Sequence, residues 1–198
     1  MGDPRRGALP PAVEAGDQPV TTLEERALAW IQPHWNLEHL VRTREWLLVI
    51  EPDASEALRL AALTHDVERQ FPGGPVQDLS ISPDDDIEYR RVHAERSARF
   101  VEDWLREQGA DPALVEEVAR LVSLHEVGGD DPANLVQAAD SLSFLEVNVD
   151  LPARWAAQGR CSFERGVDQH RWMFERIRVP RARELARPLY ERVTNLAA

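Results

Sequence analysis

"ALTHDVERQF", residues 61–70, closes a run from Ala57 to Leu63 in which only Arg59 is not apolar, and it sets His65 and Asp66 side by side at the end of that run. The run carries an imidazole and a carboxylate into the interior. An unpaired buried carboxylate costs several kcal/mol, so Asp66 needs an arginine, hydrogen bonds or a metal. Working outward, Asp53 or Ser55 opens this helix, which ends near Asp66. Upstream, Thr22-Leu23-Glu24-Glu25 reads as a capping box for a helix to about Ile31, and Asn36 caps a second to about Ile50. Downstream, residues 70–83 form a long loop, either a functional lid or a flexible connection. A long helix follows from about Asp84 to Gln108, stopped at Gly109. Asp111-Pro112 opens another to about His125, ended by Gly128-Gly129. Helical segments are further expected over 133–148, 162–178 and 181–195. No run alternates with period two, so the expected fold is all-α, a bundle of about seven to eight helices.

Length and composition fit one domain with a real core. Residues 1–20, rich in Pro, Gly and charge, read as a mobile tail, and 21–198 as a single domain with its core at 35–150 and C-terminal helices at 160–198. No stretch is apolar for the ~18 residues of a membrane span, and the N-terminus lacks the apolar core of a secretory signal, so a cytoplasmic, non-membrane location is expected. The lone Cys161 fits a reducing compartment. A net charge of −12 disfavours long nucleic-acid partners. All 23 basic residues are arginines, which excludes lysine Schiff-base chemistry and a phosphate-loop lysine. The arginines of the last two segments, Arg171, Arg176, Arg178, Arg181, Arg183, Arg187 and Arg192, read as a solvated face rather than an anion-binding patch.

Several polar residues fall on apolar faces. The stripe Leu114, Val118, Leu121, Val122 continues into His125, and Asp140 shares a face with Val136, Phe144 and Val147. His39 borders the stripe of Leu37, Leu40, Val41, Leu47 and Leu48; His93 borders that of Ile87, Ala94, Ala98, Val101 and Leu105. Any one of these histidines is explained as a core or boundary residue. Together, four of six histidines and two carboxylates lie at or near core positions on five helices, and all are ligand types that borderline divalent metals accept. His34 and His170 read as ordinary surface or boundary residues.

His39, the doublet His65-Asp66 and then Asp140 resemble the H…HD…D signature of the HD-domain superfamily of metal-dependent phosphohydrolases, over roughly residues 35–150. The resemblance implies a helical bundle with a central divalent metal held by His39, His65, Asp66 and Asp140. His93 and His125 occupy the order of the additional histidines in dinuclear members, H…HD…H…H…D, which implies a second metal with Asp66 as the bridge. At a helix terminus the doublet can reach one metal or straddle two. The GYP tripeptide of the cyclic-dinucleotide branch is absent, and HDVER departs from the HDxxED of the guanosine-tetraphosphate hydrolases.

The implied activity is hydrolysis of a small phosphorylated substrate, a nucleotide monoester or diester, by metal-activated water, with one or two divalent transition metals (Mn, Fe, Co, Ni or Zn) per chain. Asp66 and Glu68 are the candidate catalytic residues, although a loop-start glutamate is equally read as exposed. Arg69, Arg90 and Arg96 are candidate phosphate forks or else surface arginines. Glu126 either orients His125 or is solvated, and Ser141 and Ser143 beside Asp140 read as simple packing residues, the alternative being that they let helices or substrate approach. The alternatives are a di-iron oxygenase of the same superfamily, disfavoured by the missing lysine, and a non-catalytic metal-binding sensor domain.

Overall fold

A computed structural model describes residues 19–195, so the expected tail lies almost wholly outside the described residues. Among those residues there are nine α-helices and no strand: α1 Thr22–Ile31, α2 Leu37–Ile50, α3 Glu56–Thr64, α4 Ile87–Glu107, α5 Pro112–Leu124, α6 Asp131–Val147, α7 Leu151–Ala157, α8 Phe163–Glu175 and α9 Pro180–Asn195. A 3₁₀ turn, Val67–Gln70, follows α3. The all-α expectation holds. Short α7 and the 3₁₀ turn were not legible, since neither is long enough to display a period.

Helix α3 is the hub. Residues Ala57 to Thr64 are buried all round, and α1, α2, α5 and α6 pack on it. Arg59 is buried with them because Glu24 accepts its Nε at 3.1 Å and the Ala54 carbonyl accepts its Nη1 at 2.6 Å. That pairing also decides the start of α1. The cap is Thr21 rather than Thr22: Thr21 Oγ1 accepts from Glu24 N, and Glu24 Oε2 accepts from Thr21 N at 2.9 Å. Thr22 with Glu25 offers the same spacing, but only Glu24 faces Arg44 and Arg59. At the head of α4, Ile87 is exposed rather than part of the apolar stripe.

Two turns place side chains in the centre. Past α3 the backbone leaves helical geometry at Asp66 (φ −107, ψ 16), so His65 and Asp66 diverge. Past α5, Gly128 has φ +66, and a Cβ there would lie 2.4 Å from Asn134 Oδ1. The left-handed backbone favours glycine, and a side chain there would also have to displace the Asn134 carboxamide. Gly128→Ala is expected to cost about 1–3 kcal/mol, read as a lower urea midpoint with unchanged denaturant slope.

The segment 71–86 is fastened rather than free. Pro72 O accepts from Arg96 Nη2 at 2.6 Å, Ile81 O from Arg165 Nε at 2.8 Å, and Pro83 O from Arg90 Nη1. Asp84 pairs with Arg171 at 2.5 Å.

Candidate metal centre

Helix α2 presents His39 from its first turn, α3 presents His65 from its C-cap, and α6 presents Asp140 from its middle. Their inner atoms converge. His39 Nε2 lies 3.1 Å from Asp140 Oδ1, His65 Nε2 lies 3.4 Å from the same oxygen, and the two nitrogens are 3.3 Å apart. The outer nitrogens settle the tautomers. His65 Nδ1 donates to Ala62 O at 3.0 Å. Ser143 gives its hydroxyl proton to His39 O, so its oxygen accepts from His39 Nδ1 at 2.9 Å. In their neutral forms both imidazoles therefore aim bare Nε2 lone pairs at each other and at a carboxylate oxygen. One proton can bridge only two of the three. Around a cation with bonds of about 2.0–2.2 Å and tetrahedral to octahedral angles, donors lie about 2.8–3.6 Å apart. The observed spacings fall in that interval.

The second group is Asp66, His93 and His125. His93 Nε2 is 2.7 Å from Asp66 Oδ1, and its Nδ1 is held by Glu68 Oε1 at 2.7 Å. His125 Nδ1 donates to Val122 O at 2.7 Å, which leaves its Nε2 bare. All four histidines thus face inward through Nε2 and are oriented through Nδ1 by an oxygen, the arrangement that fixes metal-ligating imidazoles. The two groups adjoin: the rings of His65 and His125 are 5.0 Å apart, centroid to centroid. His65 goes to one group and Asp66 to the other, so the doublet straddles them.

Each aspartate has its outer oxygen on an arginine. Arg69 Nε reaches Asp66 Oδ2 at 2.6 Å, and Arg176 Nη2 reaches Asp140 Oδ2. Burial raises both carboxyl pKa values, but Arg69 with His93 at Asp66, and Arg176 with His65 at Asp140, hold them well below the usual range. Burial lowers His65, yet Asp140 and Asp66 outweigh it and raise its pKa. At His125 burial dominates and pushes the pKa down to about 4. The centre therefore keeps its carboxylates ionised and His125 neutral, while burial at His65 and His93 is outweighed by the neighbouring carboxylates, which raise the pKa of those two imidazoles.

A family model described as a domain of unknown function, DUF4202, matches residues 15–158. The chain belongs to that family. All six donor residues lie inside the matched segment, whereas Arg176, at the end of α8, lies beyond it. No curated protein and no solved structure matches the chain.

Of the residues singled out from sequence, the six metal-ligand candidates are brought together, and Ser143 serves His39. The other expectations need revision. Glu68 is buried, with Oε1 on His93 and Oε2 accepting from Arg96 at 3.1 Å, so it positions His93 and is not free to act as a base. Arg96 is spent on Glu68 and Pro72 O. Arg90 is buried, tied to Pro83 O and Asp84 O and stacked on Trp172, which makes it an anchor of the 71–86 segment. Buried Arg90 is turned away from a substrate, whereas Arg96 keeps 22% of its side chain exposed. Arg69, with 29% of its side chain exposed, stays at the centre's edge. His170 is fully buried between Gly166 O and Asn148 O, not at the surface. Arg176 was placed on a solvated face but is buried against Asp140, Glu126 and Ser141. Its position seven residues after buried Gln169 and three after buried Met173 was the signal that could have found it.

Proposed function

We propose that this chain is a metal-dependent phosphohydrolase of HD-domain type, acting on a small phosphorylated molecule such as a nucleotide monoester or diester. The observation that carries the reading is the convergence of four inward Nε2 atoms and two arginine-held aspartates in two adjoining groups. It accords with the order H…HD…H…H…D. Bound there, a divalent metal supplies Lewis acidity toward a phosphoryl oxygen and lowers the pKa of water.

The protein's own part is to hold and orient. Asp66 and Asp140 direct one oxygen inward because arginines fix the other. Arg69 is fastened by Asp66 and by Tyr89 Oη at 2.5 Å, and it borders a surface opening of about 290 Å³ with Trp35, Phe71, Gly74 and Pro75. An opening of that size suits a small ligand. A guanidinium at its rim offers charge-assisted hydrogen bonds to phosphate oxygens, and Trp35, 75% exposed, offers an indole face to a planar group.

Protein purified without chelator is expected to carry up to two transition-metal equivalents. It should release inorganic phosphate or a nucleoside monophosphate from a panel of nucleotides and small phosphate esters, with Mn or Zn as well as Fe and equally without dioxygen. Turnover confined to iron with oxygen, all phosphate esters remaining intact, would replace this reading with an oxygenase. Metal uptake without any turnover would leave a sensor domain.

A further inference from the structure

Glu126 follows His125 where the chain leaves α5, and both of its carboxylate oxygens face the centre's machinery. Oε2 accepts from Arg176 Nη1 at 2.6 Å. Oε1 has no hydrogen-bond donor among the described residues, and it lies 3.8 Å from His125 Nε2 and 3.9 Å from His93 Nε2. The residue is 9% exposed, and its carbonyl accepts from Gln137 Nε2 at 3.2 Å, so its backbone is pinned.

This repeats the arrangement of the two aspartates. Asp140 has one oxygen on Arg176 and the other toward His39 and His65; Asp66 has one on Arg69 and the other toward His93. Glu126 has one on Arg176 and the other toward His93 and His125. The free oxygen stands only a few tenths of an ångström beyond the donor spacing of about 2.8–3.6 Å expected around a cation, a gap that a small rotation of a three-torsion side chain closes. Burial raises its carboxyl pKa, but Arg176 and His125 outweigh it and keep the group ionised.

We infer that Glu126 is a fourth protein ligand of the second group, which makes that site two histidines and two carboxylates beside a first site of two histidines and one aspartate. The inference rests on the reading that both groups hold metal. Its consequence is a difference between the sites. The carboxylate-richer second site should favour Mn over Zn relative to the first. Charge supports it as well. Asp66, Asp140 and Glu126 against Arg69 and Arg176 leave one net negative charge, so two divalent cations bring the centre to a positive balance that complements a phosphate ester.

The experiment loads metal-free wild type and Glu126→Gln with Co or Mn and measures stoichiometry and affinity by chelator competition, with near-UV circular dichroism to confirm folding. The glutamine variant is expected to bind the first equivalent as wild type does and the second more than about 100-fold more weakly, beyond the about 10- to 100-fold that loss of a residue merely orienting a ligand costs; a loss within that range or below it would make Glu126 an orienting residue and overturn the inference. Glu126→Asp retains the charge but withdraws the oxygen, so it should show the same selective loss and serves if the glutamine variant fails to fold. Two equally tight equivalents in both variants would overturn the inference. So would weakening of the first equivalent instead of the second, which would make Glu126 only an anchor for Arg176 and, through it, Asp140. Wild type that takes up fewer than two equivalents would remove the underlying reading and this inference with it.

Discussion

Asp140→Ala is expected to lose the first metal equivalent while the second stays. Among the described residues Asp140 Oδ1 is the only carboxylate oxygen within 3.4 Å of both His39 Nε2 and His65 Nε2, so its removal leaves two neutral nitrogens and no anionic donor. Loss of residues that merely orient ligands costs about 10- to 100-fold in metal affinity, and loss of a direct donor should exceed about 100-fold. The second group draws Asp66, His93 and His125 from the 66–67 turn, α4 and α5, none of which depends on Asp140 for its orientation. Arg176 keeps Glu126 as partner, so the variant should fold. Asp140→Asn makes the comparison sharper, because its amide oxygen can still accept from Arg176 while being a poorer ligand. The readout is metal-to-protein ratio after equilibration with a competing chelator. His93→Ala should give the mirror result, with the first equivalent kept and the second lost. A variant lacking Asp140 that retains both equivalents at unchanged affinity would show that the His39, His65 and Asp140 group is not a metal site.

Glu24→Ala is expected to be the most destabilising single change outside the centre. Glu24 is fully buried, and three partners converge on it: Arg44 Nε at 2.7 Å, Arg59 Nε at 3.1 Å and the Thr21 backbone amide at 2.9 Å. Arg59 lies on α3, the helix on which the bundle is assembled, and it is itself buried. Removing one partner of a buried ion pair costs about 3–5 kcal/mol, chiefly through the stranded charge, and the lost half of the capping box adds up to about 1 kcal/mol. For a domain of this size about 4 kcal/mol corresponds to a fall in Tm on the order of 10 °C. Thermal unfolding of metal-free protein measures it without interference from binding. Glu25→Ala, one residue along on the exposed side of α1, should shift Tm by no more than a degree or two. A loss at Glu24 no larger than at Glu25 would mean that Arg59 finds water or another partner.

The chain's one-dimensional pattern determined the helical class and marked as ligand candidates the six residues that the fold gathers into two groups. Helical periodicity is a local property, and a polar residue on an apolar stripe, such as His125 after Leu121 and Val122 or Asp140 between Val136 and Phe144, is visible from its own helix alone. The cost of burying Asp66 at the end of Ala57–Leu63 called for a partner for the same reason, without choosing among an arginine, hydrogen bonds and a metal. What the pattern did not contain was the partition of those donors. Whether His65 and Asp66 share one site or divide between two depends on the φ and ψ at which the chain leaves α3, and on which of α2, α6, α4 and α5 stands opposite each side chain. The same holds for the charged residues around them. Glu68, Arg90 and Arg176 are all of types that are usually solvated, and their burial involves partners tens of residues away: Glu68 with His93 and Arg96, Arg90 with the Trp172 ring, Arg176 with Asp140 and Glu126. Long-range pairing of this kind leaves no period in the sequence, because the desolvation of each charge is offset by a group that only the packed bundle brings within reach.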